Sequence, residues 1–267
     1  MRQYISFFRM RFVNGLQYRV AALAGVVTQF AWGALSILAF MAFYEGNPSG
    51  FPMEFQSLSS YIWLQQAFLA LYMTWFFENE LFDLISSGNI AYELCKPQDI
   101  YNMWFVRNIA NRMAKAALRC IPVLIVAFLL PAPYGLVLPR NFAVAICFIL
   151  SMGLSLLVVV SFSMLIYIAT FYTINSMGIR IISASLVEFL SGAIIPLPFL
   201  PTNIRNVVEL LPFASMQNVP FLIYTGEITG TRMIRVVSLQ LIWITLLIFI
   251  GKVTMNKALK RIVVQGG

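Results

Sequence analysis

The stretch SGAIIPLPFLPTNIRNVVELLPF, Ser191 to Phe213, begins like the end of an apolar helix and then places Pro196, Pro198, Pro201 and Pro212 in close succession. A proline inside a helix removes a backbone donor and clashes with the preceding turn, at about 3 kcal/mol. In a bilayer each unsatisfied backbone group adds further cost. A proline cluster next to an apolar helix therefore marks a place where the chain leaves the lipid or turns back inside protein. Which of the two applies depends on what surrounds it.

Of the 267 residues, 60% are hydrophobic and only 10% are charged. Soluble domains carry about 25% charged residues, so this chain cannot cover a water-facing surface and is an integral membrane protein. A bilayer crossing takes about 20 apolar residues. Six segments qualify, at 20–44, 58–77, 113–131, 141–168, 179–197 and 233–251. The third carries Lys115 and Arg119, which can snorkel to an interface. The first is longer than a signal-peptide core of roughly 7–15 residues and lacks a small-residue exit, so it is expected to stay as an anchor.

Basic residues orient the chain. With the N-terminus inside, 14 of the 18 Lys and Arg fall on the cytosolic side, and only Arg140, Arg205, Arg232 and Arg235 fall outside. That asymmetry predicts both termini in the cytosol. It also explains the +8 balance as topology, with no basic patch for nucleic acid. By this count the proline cluster is extracytoplasmic. It ends the fifth span, and Ile204, Val207, Val208 and Leu211 then supply one apolar side of a second short helix that Pro212 stops. The 192–226 stretch is thus expected to turn the chain back at the outer face, between spans five and six. An ordinary outer loop on the headgroups is the alternative.

Residues 1–19 read as an amphipathic helix on the inner membrane surface, with Ile5, Phe8, Phe12 and Leu16 on one side. The alternative is a first span that extends out of the membrane. No internal repeat or separate soluble domain interrupts 1–267, which forms one all-α membrane unit.

Chemistry is sparse. There is no histidine, so His-based metal sites and Ser-His or Cys-His catalysis are excluded. The only Gly-Lys pair, Gly251-Lys252, lacks the upstream glycine and the Ser or Thr of a phosphate-binding loop. No catalytic residue, metal site or bound cofactor is expected on this chain. Cys95, Cys120 and Cys147 are odd in number and far apart, which favours small buried hydrophobes over a disulfide.

The most informative polar stretch is cytosolic, 78–104, beginning ENELFDLISSGNIAYELCKPQD. Leu81, Leu84 and Ile85 give one helical face, Glu78, Glu80 and Asp83 suit the helix start, and Ser87-Gly88-Asn89 breaks the helix. Ile90-Ala91-Tyr92-Glu93-Leu94 follows, closed by Lys96-Pro97. Such a piece can dock into a groove on a cytosolic partner or simply rest on lipid.

LISSGNIAYELCKPQD after the second span, together with the proline-rich stretch after the fifth, resembles the membrane subunit of ABC-2 type transporters, in the small form with no fused ATPase. The resemblance covers the chain in span number, order and orientation. It implies a permease of an ATP-driven exporter in the cytoplasmic (inner) membrane of a prokaryote. Two copies of a separate ATP-binding-cassette subunit would hold ATP and magnesium, and a second permease, itself or a related chain, would complete the pore. Leu81, Leu84, Ile85, Ile90, Tyr92, Glu93, Leu94, Lys96 and Pro97 would form the ATPase-coupling element, and the 192–226 stretch would form a re-entrant hairpin that caps the outer end. The cargo would be amphipathic or hydrophobic: a drug, peptide, lipid or glycan.

Within the fifth span, Glu188 is a central carboxylate, costing about 2.5–3.5 kcal/mol on insertion scales. It reads as a point on the transport path or the permease interface, with Ser185, Ser191 and, further on, Gln217 and Asn218. It could equally be satisfied inside the bundle by Ser185 or Arg119. An ion-coupled secondary carrier or channel is the alternative function, but it would favour more intramembrane charges and inverted repeats. A lipid-modifying membrane enzyme would want clustered catalytic groups.

Overall fold

The computed structural model describes residues 1–173 and 175–261, and among these no strand occurs. Twelve helices follow in order: α1 (Arg2–Gly15), α2 (Arg19–Gly46), α3 (Phe55–Ala67), α4 (Leu69–Tyr72), α5 (Asn79–Ser86), α6 (Ile90–Leu94), α7 (Ile100–Leu129), α8 (Phe142–Ala169), α9 (Ser176–Leu190), α10 (Thr202–Val208), α11 (Asn218–Tyr224) and α12 (Gly230–Leu259). Three long helices start where a polar side chain satisfies an otherwise orphaned amide. Asp99 accepts from the Asn102 amide at 2.7 Å, Asn141 from Val144 at 2.8 Å and Asn175 from Met177 at 2.8 Å.

By length and composition α2, α8 with its extension to Tyr172, and α12 can each cross a membrane. The other expected crossings differ in form. The 58–77 segment breaks at Phe68 and is no longer helical after Tyr72, so it consists of α3 and α4 followed by irregular chain with a turn at 74–75. The 113–131 segment is the second half of a 30-residue helix that starts at Ile100. The 179–197 segment ends early: α9 stops at Leu190, and Gly192 turns the chain with φ +80°. Its Cβ would lie 2.8 Å from the Tyr61 hydroxyl, so only glycine fits this turn.

α8 is the centre of the bundle. Val158, Val159 and Val160 are all fully buried, which requires neighbours on every side, and α12, α11 and α7 supply them. Large apolar residues on the outer faces stay exposed, among them Val20, Leu23 and Val27 on α2 and Ile181, Ile182 and Phe189 on α9. In water such a surface would aggregate; in a bilayer it meets lipid.

α1 is separate from α2. It ends at Gly15, the chain turns through 16–18, and α1 packs along α7. Gly15 permits the approach, since a Cβ there would stand 2.6 Å from that of Ala114. Phe8 and Phe12 are half-buried, whereas Ile5 remains exposed.

The proline-rich stretch makes a compact unit. Pro198 lies in a single 3-10 turn, Leu197–Phe199, Pro201 precedes α10, and Pro212 follows it. α10 buries only Val208, and Ile204 and Val207 are exposed. The deeper packing belongs to α11, which has Phe221 at 5.4 Å from Tyr61 and 5.7 Å from Tyr72. Tyr61 is midway along α3 and Tyr72 ends α4, so Phe221 of α11 packs across the break between them.

Candidate functional site

Where α4 ends, its last carbonyls have no helical partner. Arg112 of α7, only 1% exposed, fills that role. Its Nη1 donates to the carbonyls of Leu71 at 3.0 Å and Met73 at 2.8 Å. Nε donates to Asn108 at 2.7 Å and Nη2 to the Ser163 hydroxyl at 3.2 Å. A guanidinium carries five N–H donors in a fixed fork, and the positive charge suits a helix C-terminus. No ion pair reaches Arg112 among the described residues. The charge is balanced by carbonyl dipoles and two polar side chains, and it holds the break in the second apolar segment open.

Beyond the break the chain enters an ion cluster. Glu78 lies 3.7 Å from both Arg107 and Lys115, and Glu80 pairs with Arg107 and, at 3.8 Å, with Arg11 of α1. The Glu78 amide donates to the Tyr167 hydroxyl at 2.8 Å. From α9, Arg180 donates to Asn79 at 2.8 Å, and its guanidinium stands 4.6 Å from the Phe82 ring centroid. The segment of expected coupling residues is thereby joined to α1, α7, α8 and α9.

Within that segment the side chains divide by burial. Leu81 and Ile90 are buried, and Leu84 and Ile85 are half-buried against the same cluster as Phe82 and Tyr167. Gly88, at φ +75°, reverses the chain between α5 and α6. Tyr92 is 75% and Leu94 42% exposed, and Lys96, paired with Glu93, and Pro97 are also at the surface. Ile90 thus anchors α6 while Tyr92 and Leu94 point away from the fold.

A cavity of 720 Å³ lies between α2, α3 and α9. Glu188 lines it together with Arg119, Gln29, Gln65, Trp32 and Trp75. Glu188 makes no hydrogen bond or ion pair among the described residues. Gln29 is buried, with neither side-chain polar atom partnered; a polar group in this state is costly unless something else binds there. Ser185 is on the exposed side of α9 and does not line this cavity.

Ser191 is buried without a hydrogen-bond partner, and so is Gln217. Asn218 is buried in a tie: its Oδ1 accepts from the Tyr61 hydroxyl at 3.1 Å and from the Leu197 amide at 3.4 Å. Gln65 donates to the Ala193 carbonyl. These bonds fix the turn after α9 to α3 and α11, with Pro196 buried beside it.

Two polar features were not singled out from sequence. Gln240 in α12 is fully buried and donates to Ser155 Oγ at 2.9 Å, to the Ser215 carbonyl at 3.2 Å and to the Ser151 carbonyl at 3.3 Å. Ser151 donates back to its Oε1 at 3.1 Å. A lone Gln in an apolar run was the available signal. Arg112 was visible only as one of several basic residues before the third span. Among the described residues no three Cys, Asp or Glu side chains gather closely enough to hold a metal ion.

A family model described as ABC-2 family transporter protein matches residues 30–266. No match is found among curated proteins. The family match runs from within α2 through α12 and takes in the coupling segment, Glu188 and the proline-rich unit. The chain belongs to the ABC-2 transporter family, the multi-pass membrane permeases of ABC transporters.

Proposed function

We propose that this chain is half of the membrane path of an ATP-driven exporter, with the cavity between α2, α3 and α9 as its share of the cargo route. The observation that carries the reading is a space of 720 Å³ between α2, α3 and α9 in which a carboxylate, a guanidinium and an unpartnered glutamine meet two indole rings. Such a lining suits an amphipathic cargo: polar groups orient it and the aromatic rings take its apolar part. α9, which bears Glu188, buries only Val187 within this chain. That leaves a wide apolar face for a second permease, identical or related, to close the route from the other side.

Six crossings with both termini cytosolic remain the topology that best accounts for the charge distribution. α3 with α4, α7 and α9 would serve as the crossings besides α2, α8 and α12. The unit from Gly192 to Gly226 would re-enter from outside and close the outer end through α11. Coupling would enter at Tyr92 and Leu94, pressed by one of two ATP-binding-cassette subunits that carry ATP and magnesium. From there α5, gripped by Arg180, connects to α9, and Glu188 lies two turns beyond Arg180 on the same helix. ATP-driven closure would bias the pair between inward- and outward-facing arrangements.

The test is a mild-detergent pull-down of the tagged chain from its native membrane, followed by transport assays in vesicles. Co-purification of an ATP-binding-cassette protein and ATP-dependent cargo movement are expected. A chain that comes down alone and transports without ATP would be a secondary carrier instead.

A further inference from the structure

A second cavity, of 460 Å³, opens between α1, α2, α7 and the start of the coupling segment. Four cations line it, Arg11, Arg107, Lys115 and Arg119, against two carboxylates, Glu78 and Glu80. Both carboxylates are already shared: Glu80 between Arg107 and Arg11, Glu78 between Arg107 and Lys115. Arg119 has no ion pair among the described residues, and the lining holds two more cations than carboxylates. The Nε atoms of Arg11, Arg107 and Arg119 are all buried without an acceptor. Four cations around one void, against two carboxylates that are already shared, suit an oxyanion with several acceptor oxygens. A phosphate offers these in the geometry that arginine forks fit.

The surroundings select the source of that phosphate. Ala21, Ala22, Leu118 and Phe76 make the remaining wall apolar, and Tyr18 stands at the edge. Beside it, Val20, Leu23 and Val27 expose an apolar strip along α2, where acyl chains can lie. The cavity is also at the end of the bundle richest in Lys and Arg, the side facing the anionic leaflet. We propose that this cavity binds the phosphate headgroup of an anionic phospholipid. Because Arg107 and Lys115 also hold Glu78 and Glu80, an occupied headgroup competes for the contacts that fix the start of the coupling segment. The site rests on the cytosolic orientation proposed above but not on the identity of the cargo route, with which it shares only Arg119 and Phe76.

The full-length chain in detergent is examined by native mass spectrometry with phosphatidylglycerol, with phosphatidylcholine of the same acyl chains, and with inorganic phosphate. Two excess cations predict about thirtyfold stronger retention of phosphatidylglycerol than of phosphatidylcholine. The double variant Arg11→Gln with Lys115→Gln is expected to lose that preference. Lys115→Arg, which keeps the charge, and Arg235→Gln, outside the cavity, are expected to retain it. Equal retention of the two lipids, or a preference that survives in the double variant, overturns the proposal. Loss in Lys115→Arg as well would mark a packing defect and overturn it too. Inorganic phosphate that displaces phosphatidylglycerol at equal concentration would make this a soluble-anion site and overturn the lipid assignment.

Discussion

The Arg119 guanidinium stands 5.4 Å from the centroid of the Phe76 ring, and this pair belongs to the walls of both cavities. It separates the cation-lined space beside α1 from the Glu188 space between α2, α3 and α9. Gly25 of α2 makes the arrangement possible, because a Cβ there would fall 2.6 Å from Arg119 Cζ.

Gly25→Ala should therefore move the guanidinium without breaking the fold, since the displaced group is the end of a flexible side chain. Expression and melting temperature are expected to stay near the parent values while transport falls several-fold. A comparable loss of inserted protein would show that Arg119 supports packing and does not shape the route.

Tyr92→Ala combined with Leu94→Ala removes two exposed side chains and should leave stability unchanged. Transport and stimulation of the partner ATPase are expected to drop together. Ile90→Ala, one turn away but buried, should instead cost about 2–4 kcal/mol in stability. Thermal unfolding of both variants, set beside ATPase assays, separates the docking surface from its anchor.

Glu188→Gln keeps the size of the side chain and removes its charge. The variant is expected to insert normally and to change transport rate or cargo preference. Reduced insertion with unchanged specific activity would contradict this and favour a purely structural carboxylate.

Removing the buried guanidinium by Arg112→Leu strands the carbonyls of Leu71 and Met73, at about 2–4 kcal/mol in total. Arg112→Lys retains the charge but not the fork and should fall between the two. A detergent melting series on these variants checks the order; a leucine variant as stable as the parent would exclude the capping role.

At the other end of the molecule, burial, with Glu54 adding to it, pushes the Glu227 carboxyl above its usual range, and Arg232 partly opposes this. The folded state thus disfavours the charged form, and stability falls as pH rises through the raised value. Glu227→Gln should stabilise the protein at neutral pH, with the gain vanishing in acid, where both side chains are neutral. Melting curves from about pH 3 to about pH 8, which bracket the ordinary glutamate value of about 4.3, test the sign.

Much of the framework is legible in the sequence. The scarcity of charge forced a membrane protein, the runs in 20–44, 141–168 and 233–251 correspond to helices α2, α8 and α12, and the LISSGN turn separated α5 from α6. Pattern reading missed the break after Tyr72, because nothing in LALYMTWFF departs from an apolar helix. The partner that stabilises the break, Arg112, is 40 residues away in sequence. It missed the depth of α11 for a similar reason, because the eye follows the prolines to α10 while the burial is decided by Tyr61, Tyr72 and α8. Glu188 stood out as a charge among apolar residues; its association with Gln29, Arg119 and Trp75 did not.

The sequence by itself determined the solvent this protein lives in, its helical class and the segments able to leave the lipid, since these follow from local composition and hydrogen-bonding needs. Tertiary structure alone decided which polar residues meet. A buried guanidinium, an unpartnered glutamine or an ion cluster is defined by neighbours from distant helices. Those neighbours are chosen by packing, which no local stretch of sequence encodes.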